Sequence, residues 1–76
     1  MSQQALREII DQAVVDYGFR LAVMWGTDDI VARSDLSSQE AGVLRRLVVP
    51  QLQRLPNPVE PDDHAAVQER LAKLAD

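Results

Sequence analysis

"YGFRLAVMWGTDDIVARSD", residues Tyr17 to Asp35, decides the fold, because it reads either as helix or as two strands folded over a turn. As a helix, 17–25 would carry apolar side chains on every side, interrupted only by Arg20 and Gly18. A glycine inside a helix also costs about 1 kcal/mol against alanine. As a strand, the same residues separate by alternation. Phe19, Leu21, Val23 and Trp25 take one face, while Arg20, Ala22 and Met24 take the other. "GTDD" supplies turn chemistry: glycine for positive φ, and Thr and Asp side chains that bond their own backbone. Beyond it Ile30, Ala32 and Ser34 alternate against Val31, Arg33 and Asp35. The alternation predicts a β-hairpin. Its rival is a short helix capped by Thr27, with Asp28 and Asp29 in the first turn.

The flanks are easier to read. Leu6, Ile9, Ile10, Ala13, Val14 and Tyr17 recur at spacings of three and four, predicting a helix over 2–16 with Ser2 as its cap and Gly18 past its end. Arg7 and Asp11 stand four apart on its polar side. Downstream, Ser37 and Glu40 form a capping box ahead of an apolar stripe of Ala41, Leu44, Leu47, Val48, Leu52 and Leu55, with Leu36 and Ala41 at the staple positions. Pro50 removes a backbone donor inside that stripe, which predicts a kink. "PNPVEPDD" (56–63) is a stiff connector, followed by a last helix with Val67, Leu71 and Leu74 on one face. Asp62 or Asp63 would cap it, and Glu69 and Lys73 stand four apart. The expected architecture is α+β: a helix–β-hairpin–helix domain (αββα) over 1–55, a Pro-rich connector over 56–63 and an amphipathic helix over 64–76.

Composition narrows the function. Seventy-six residues make one small domain, and a chain of this size buries only about 60% of its unfolded surface. There is no cysteine, so no disulfide adds stability, and an intracellular, cytoplasmic setting is expected. Twelve acidic against eight basic residues give a net charge of −4, which disfavours phosphate backbones. Arg45, Arg46 and Arg54 read as a solvated helix face or as partners for the acids. No apolar run approaches the roughly 18 residues of a membrane span, and "MSQQALREII" lacks the pattern of a signal peptide.

Recognisable catalytic chemistry is missing. The chain contains no G-x-S-x-G, P-loop or G-x-G-x-x-G pattern, and the adjacent Asp28 and Asp29 read as solvated turn residues. His64 follows Asp62 and Asp63, but three adjacent residues do not easily converge on one ion. No catalytic, metal or cofactor site and no small-molecule substrate is therefore expected. Size and acidity resemble an acyl carrier protein, yet "SDLSS" puts Leu36 where the carrier serine would stand.

A hairpin leaves two unpaired edges. The expected function is thus a non-catalytic docking or dimerisation module that joins a protein partner, or itself as a homodimer, through the hairpin edge. Arg20, Met24, Trp25, Val31 and Arg33 are its candidate partner-binding residues. The order helix, "GFRLAVMWGTDDIVA", "LSSQEAGVLRRLVVPQLQRL" resembles the β-hairpin docking domains at the N-termini of nonribosomal peptide and hybrid polyketide synthase subunits. Gly18, Phe19, Leu21, Val23, Gly26, Asp28 or Asp29, Ile30, Ala32, Leu36, Ser37 and Glu40 carry that resemblance. It implies a hairpin that binds a short motif at the C-terminus of an upstream subunit. The alternative is an all-helical accessory subunit or leader-like recognition domain, with Asp16 capping a helix through 16–34, that binds a partner enzyme.

Overall fold

The computed structural model describes residues 2–56 and 59–75, with side chains from Gln4 to Leu74 within those ranges. Every regular element among the described residues is helical, and none is a strand. The expected α+β hairpin fold is therefore corrected to an all-α one. Helix α1 (Ser2–Val15) runs into α2 (Tyr17–Trp25) and α3 (Thr27–Arg33) with only Asp16 and Gly26 between them. Helix α4 (Ser38–Val43) passes through a π-helical turn (Leu44–Val48) into α5 (Val49–Gln53). A 3₁₀ turn (Pro61–Asp63) leads into α6 (His64–Ala72), which ends in a second 3₁₀ turn (Lys73–Ala75).

Local chemistry explains why 17–33 winds rather than pleats. Asp16 adopts extended dihedrals, and its Oδ1 accepts the Phe19 N–H at 3.1 Å, so it caps α2. This displaces the expected glycine stop: Gly18 sits within the first turn of α2 and caps nothing. Leu21, Ala22 and Met24 are good helix formers that sustain the run. Gly26 then closes α2 by donating its N–H to the Ala22 carbonyl at 2.8 Å. A Cβ there would lie 3.1 Å from that same carbonyl oxygen, so the close approach favours glycine. "GTDD" is not a hairpin turn but a bend between two helices. Thr27 does not cap α3 either; its hydroxyl donates back to the Val23 carbonyl.

The flanking helices follow their sequence signals closely. Leu6, Ile9, Ile10, Ala13 and Val14 are all buried, and the Arg7–Asp11 pair forms at 2.9 Å. The expected Ser2 cap lies outside the described side chains. Ser37 and Glu40 complete the capping box, each bond at 3.1 Å. The disturbance expected at Pro50 falls just before it, as the π turn in which Val49 donates to the Leu44 carbonyl. This wide turn makes room for a residue with no N–H whose ring would strike the carbonyl four back. Its added residue keeps Leu44, Val48 and Leu52 in one buried line and turns Leu47 out to solvent.

The described part of the connector is anchored at Val59. Val59 enters the core, and His64 Nε2 donates to its carbonyl at 3.0 Å. Helix α6 lies against α1, with Leu71 wholly buried and Gln68 donating to the Asp11 carbonyl. Asp63 occupies the cap position of α6 without a side-chain bond. Glu69 pairs with Arg7 at 3.2 Å, and no ion pair with Lys73 forms. The carboxylates of Asp11 and Glu69 both raise the Arg7 pKa above its ordinary value, chiefly through hydrogen bonds.

The last helix thus contributes to the core it covers. Leu71→Ala should destabilise the protein by about 2–5 kcal/mol, and urea unfolding followed by circular dichroism measures this. A loss below about 0.5 kcal/mol would mean that α6 is not docked.

Candidate functional site

Helix α2 is unusual in where it places its one charge. Phe19, Arg20, Val23 and Met24 face the core, a helical spacing of one, four and five. Arg20 is 1% exposed and is the bulkiest fully buried side chain described. Its Nη1 donates to the Pro56 carbonyl at 3.0 Å, while its Nε has no partner. The guanidinium carbon stands 4.8 Å from the centre of the Tyr17 ring, a cation–π contact. One hydrogen bond and one aromatic face are meagre compensation for a desolvated cation.

With Arg20 turned inward, the outer face of α2 carries no charge at all. Tyr17, Leu21 and Trp25 follow one another at four-residue spacing, beside Gly18 and Ala22. Trp25 is 77% exposed and Tyr17 38%. Large aromatics in water are uncommon without cause, because burying one is worth several kcal/mol. Next to Trp25 lies an open groove of about 520 Å³, bounded by Thr27, Asp28, Asp29 and Arg45. Arg45 donates through Nη2 to Asp28 at 2.7 Å, and Arg33 reaches Asp29 at 3.2 Å. Both pairs are exposed and stabilise by well under 1 kcal/mol. They neutralise the rim rather than hold the fold.

The five sequence candidates scatter across this arrangement. Trp25 and Arg33 are exposed, Met24 and Val31 are half-buried against the core, and Arg20 is inside. Arg20 and Met24 stay together on the core side of α2, whereas Trp25 lies on its outer side and Arg33 on the exposed side of α3. Without strands there is no edge to complete, so strand capture and a homodimer of merged hairpins lose their basis. The same holds for the hairpin that the synthase-subunit resemblance implies. Sequence reading passed over Tyr17, Leu21, Gly18 and Ala22 as a surface, although their four-residue spacing was visible.

Other chemistry is sparse. Among the described residues no group of three His, Cys, Asp or Glu side chains could hold a metal ion, and His64 is turned to the Val59 carbonyl. No helix among them is long and apolar enough to cross a membrane. No protein-family model matches the chain, and neither the curated proteins nor the solved structures give a match.

The Arg20 environment has a testable energetic signature. Arg20→Met keeps the bulk and discards the buried charge, so it should leave stability unchanged or raise it by about 1 kcal/mol. Arg20→Ala leaves a cavity and should cost about 2–4 kcal/mol. Chemical denaturation of both variants measures the difference; equal losses would show that the charge itself stabilises the fold.

Proposed function

We propose that the chain is a non-catalytic recognition module that binds another protein through the outer face of α2. Trp25 carries this reading: the only tryptophan of the chain stands in water on a helix face without charge. Tryptophan and tyrosine are the side chains that most often dominate interface energies. Gly18 and Ala22, small and one turn apart, leave room for a second backbone to approach between the aromatics. The fitting partner is an amphipathic helix laid along α2, with its apolar side inward. The rim pairs cancel, so the net charge of −4 favours a partner with basic residues at its borders.

Size sets the strength of such a complex. Nine residues of helix span only about 14 Å. Contact along that length falls below the roughly 800 Å² per partner of a standard stable interface. The complex is therefore transient, with affinity in the micromolar range.

A tryptophan-free amphipathic peptide of leucine and lysine tests the reading. Trp25 supplies an unambiguous signal, and its emission should shift to the blue as the peptide covers it. Trp25→Ala should weaken binding of the labelled peptide about tenfold or more while leaving the far-ultraviolet dichroism unchanged. Emission that ignores the peptide up to millimolar concentration, or equal affinity of the variant, would refute the proposal.

A further inference from the structure

A second surface lies between the connector and α6, and its electrostatics are opposite to those of the chain as a whole. Four of the seven arginines are accounted for: Arg7 by Asp11 and Glu69, Arg33 by Asp29, Arg45 by Asp28, and Arg20 by burial against Pro56. Arg46, Arg54 and Arg70 have no carboxylate within 4.0 Å among the described residues. In a chain with twelve acids, unpaired cations need a reason. Two of the three, Arg54 and Arg70, line the same groove of about 490 Å³.

Leu55, Ala66 and Val67 add apolar surface to a lining that is otherwise polar, with Val59 buried behind them. The lining is also preformed. Val59 is rooted in the core and its carbonyl accepts from His64, while the Pro56 carbonyl is held from within by Arg20. Anchored lining residues lower the ordering cost of binding. Asp63 stands on the rim as well, so two guanidinium groups face one carboxylate. Arg54 caps the C-terminus of α5 and Arg70 lies in the last turn of α6, where positive charge suits the helix dipole. That preference accounts for each arginine separately; it does not account for both bordering one groove.

We infer that this groove takes an acidic, apolar peptide segment of another protein, its leucine-like side chains on Leu55 and Val67 and a carboxylate between Arg54 and Arg70. Because the groove is open to solvent, it cannot enclose most of a small molecule's surface as ligand cavities do. An extended peptide needs only one side covered. Its chemistry is opposite to that of the α2 partner, and the two surfaces work independently.

Fluorescence anisotropy with a dye-labelled peptide of leucine and glutamate tests this. Arg54→Glu and Arg70→Glu should each weaken binding roughly fivefold, and raised salt should weaken it further. Arg46→Glu changes the net charge equally but lies outside the groove, so it should leave affinity unchanged. Arg70→Gln replaces the reversal if that variant loses its helical dichroism. Binding of the leucine–lysine peptide should not respond to Arg54→Glu. No binding at millimolar concentration would overturn the inference. So would an Arg46→Glu effect as large as the groove variants', or binding of decanoate in place of the peptide.

Discussion

The bond from Arg20 to the Pro56 carbonyl holds the one charge of α2 inside the core. Helix α2 has one charged side chain on its core side and none on its outer side. Turning that arginine inward among Phe19, Val23 and Met24 departs from the usual amphipathic order, because the one charge lies inside and the outer face is left without any. The same bond ties α2 to the chain that leaves α5. Through Val59 and His64 that chain then sets where α6 begins. A buried, incompletely satisfied cation costs free energy, and the apolar core around Ile10, Leu44 and Leu71 offsets that cost.

The consequences reach both surfaces. On one side the inward arginine leaves Tyr17, Leu21 and Trp25 on the outer face of α2, and on the other its bond holds the Pro56 carbonyl beside the arginine-lined groove. A small domain without disulfides has little stability to spare. Keeping a buried charge and an exposed tryptophan under that limit is easiest to understand if binding uses them. The two proposed surfaces differ in chemistry, the α2 face offering apolar aromatics and the groove two guanidinium groups.

Much of the scaffold was legible in the sequence, and the reasons are local. Leu6 through Val14 repeats at one helical period only, and Ser37 with Glu40 is a start signal that needs no tertiary context. Tyr17 to Trp25 misled because a segment whose only charge is Arg20 satisfies alternation and helical spacing at once. The feature held against the helix, apolar residues on every side, turned out to be the candidate surface itself. Asp16 outweighed Gly18 because its side chain caps the start of α2, so the chain enters a new helix before Gly18 is reached. Of the site, Trp25 and Arg33 were found at the surface, while Arg20 was misplaced because its burial depends on Pro56, thirty-six residues away. Val59 gave no signal, a lone valine among prolines, and Leu47 changed side through a π turn that no periodicity foretells.

The inside-out arrangement of α2 can be measured directly. Nuclear magnetic resonance with a soluble paramagnetic agent reports, proton by proton, how close water comes. With Arg20 inside and Trp25 outside, the indole N–H signal should broaden strongly while the Arg20 Nε–H signal stays sharp. A shielded indole beside a broadened Arg20 signal would contradict the buried charge, and with it the exposed face on which the proposed recognition rests.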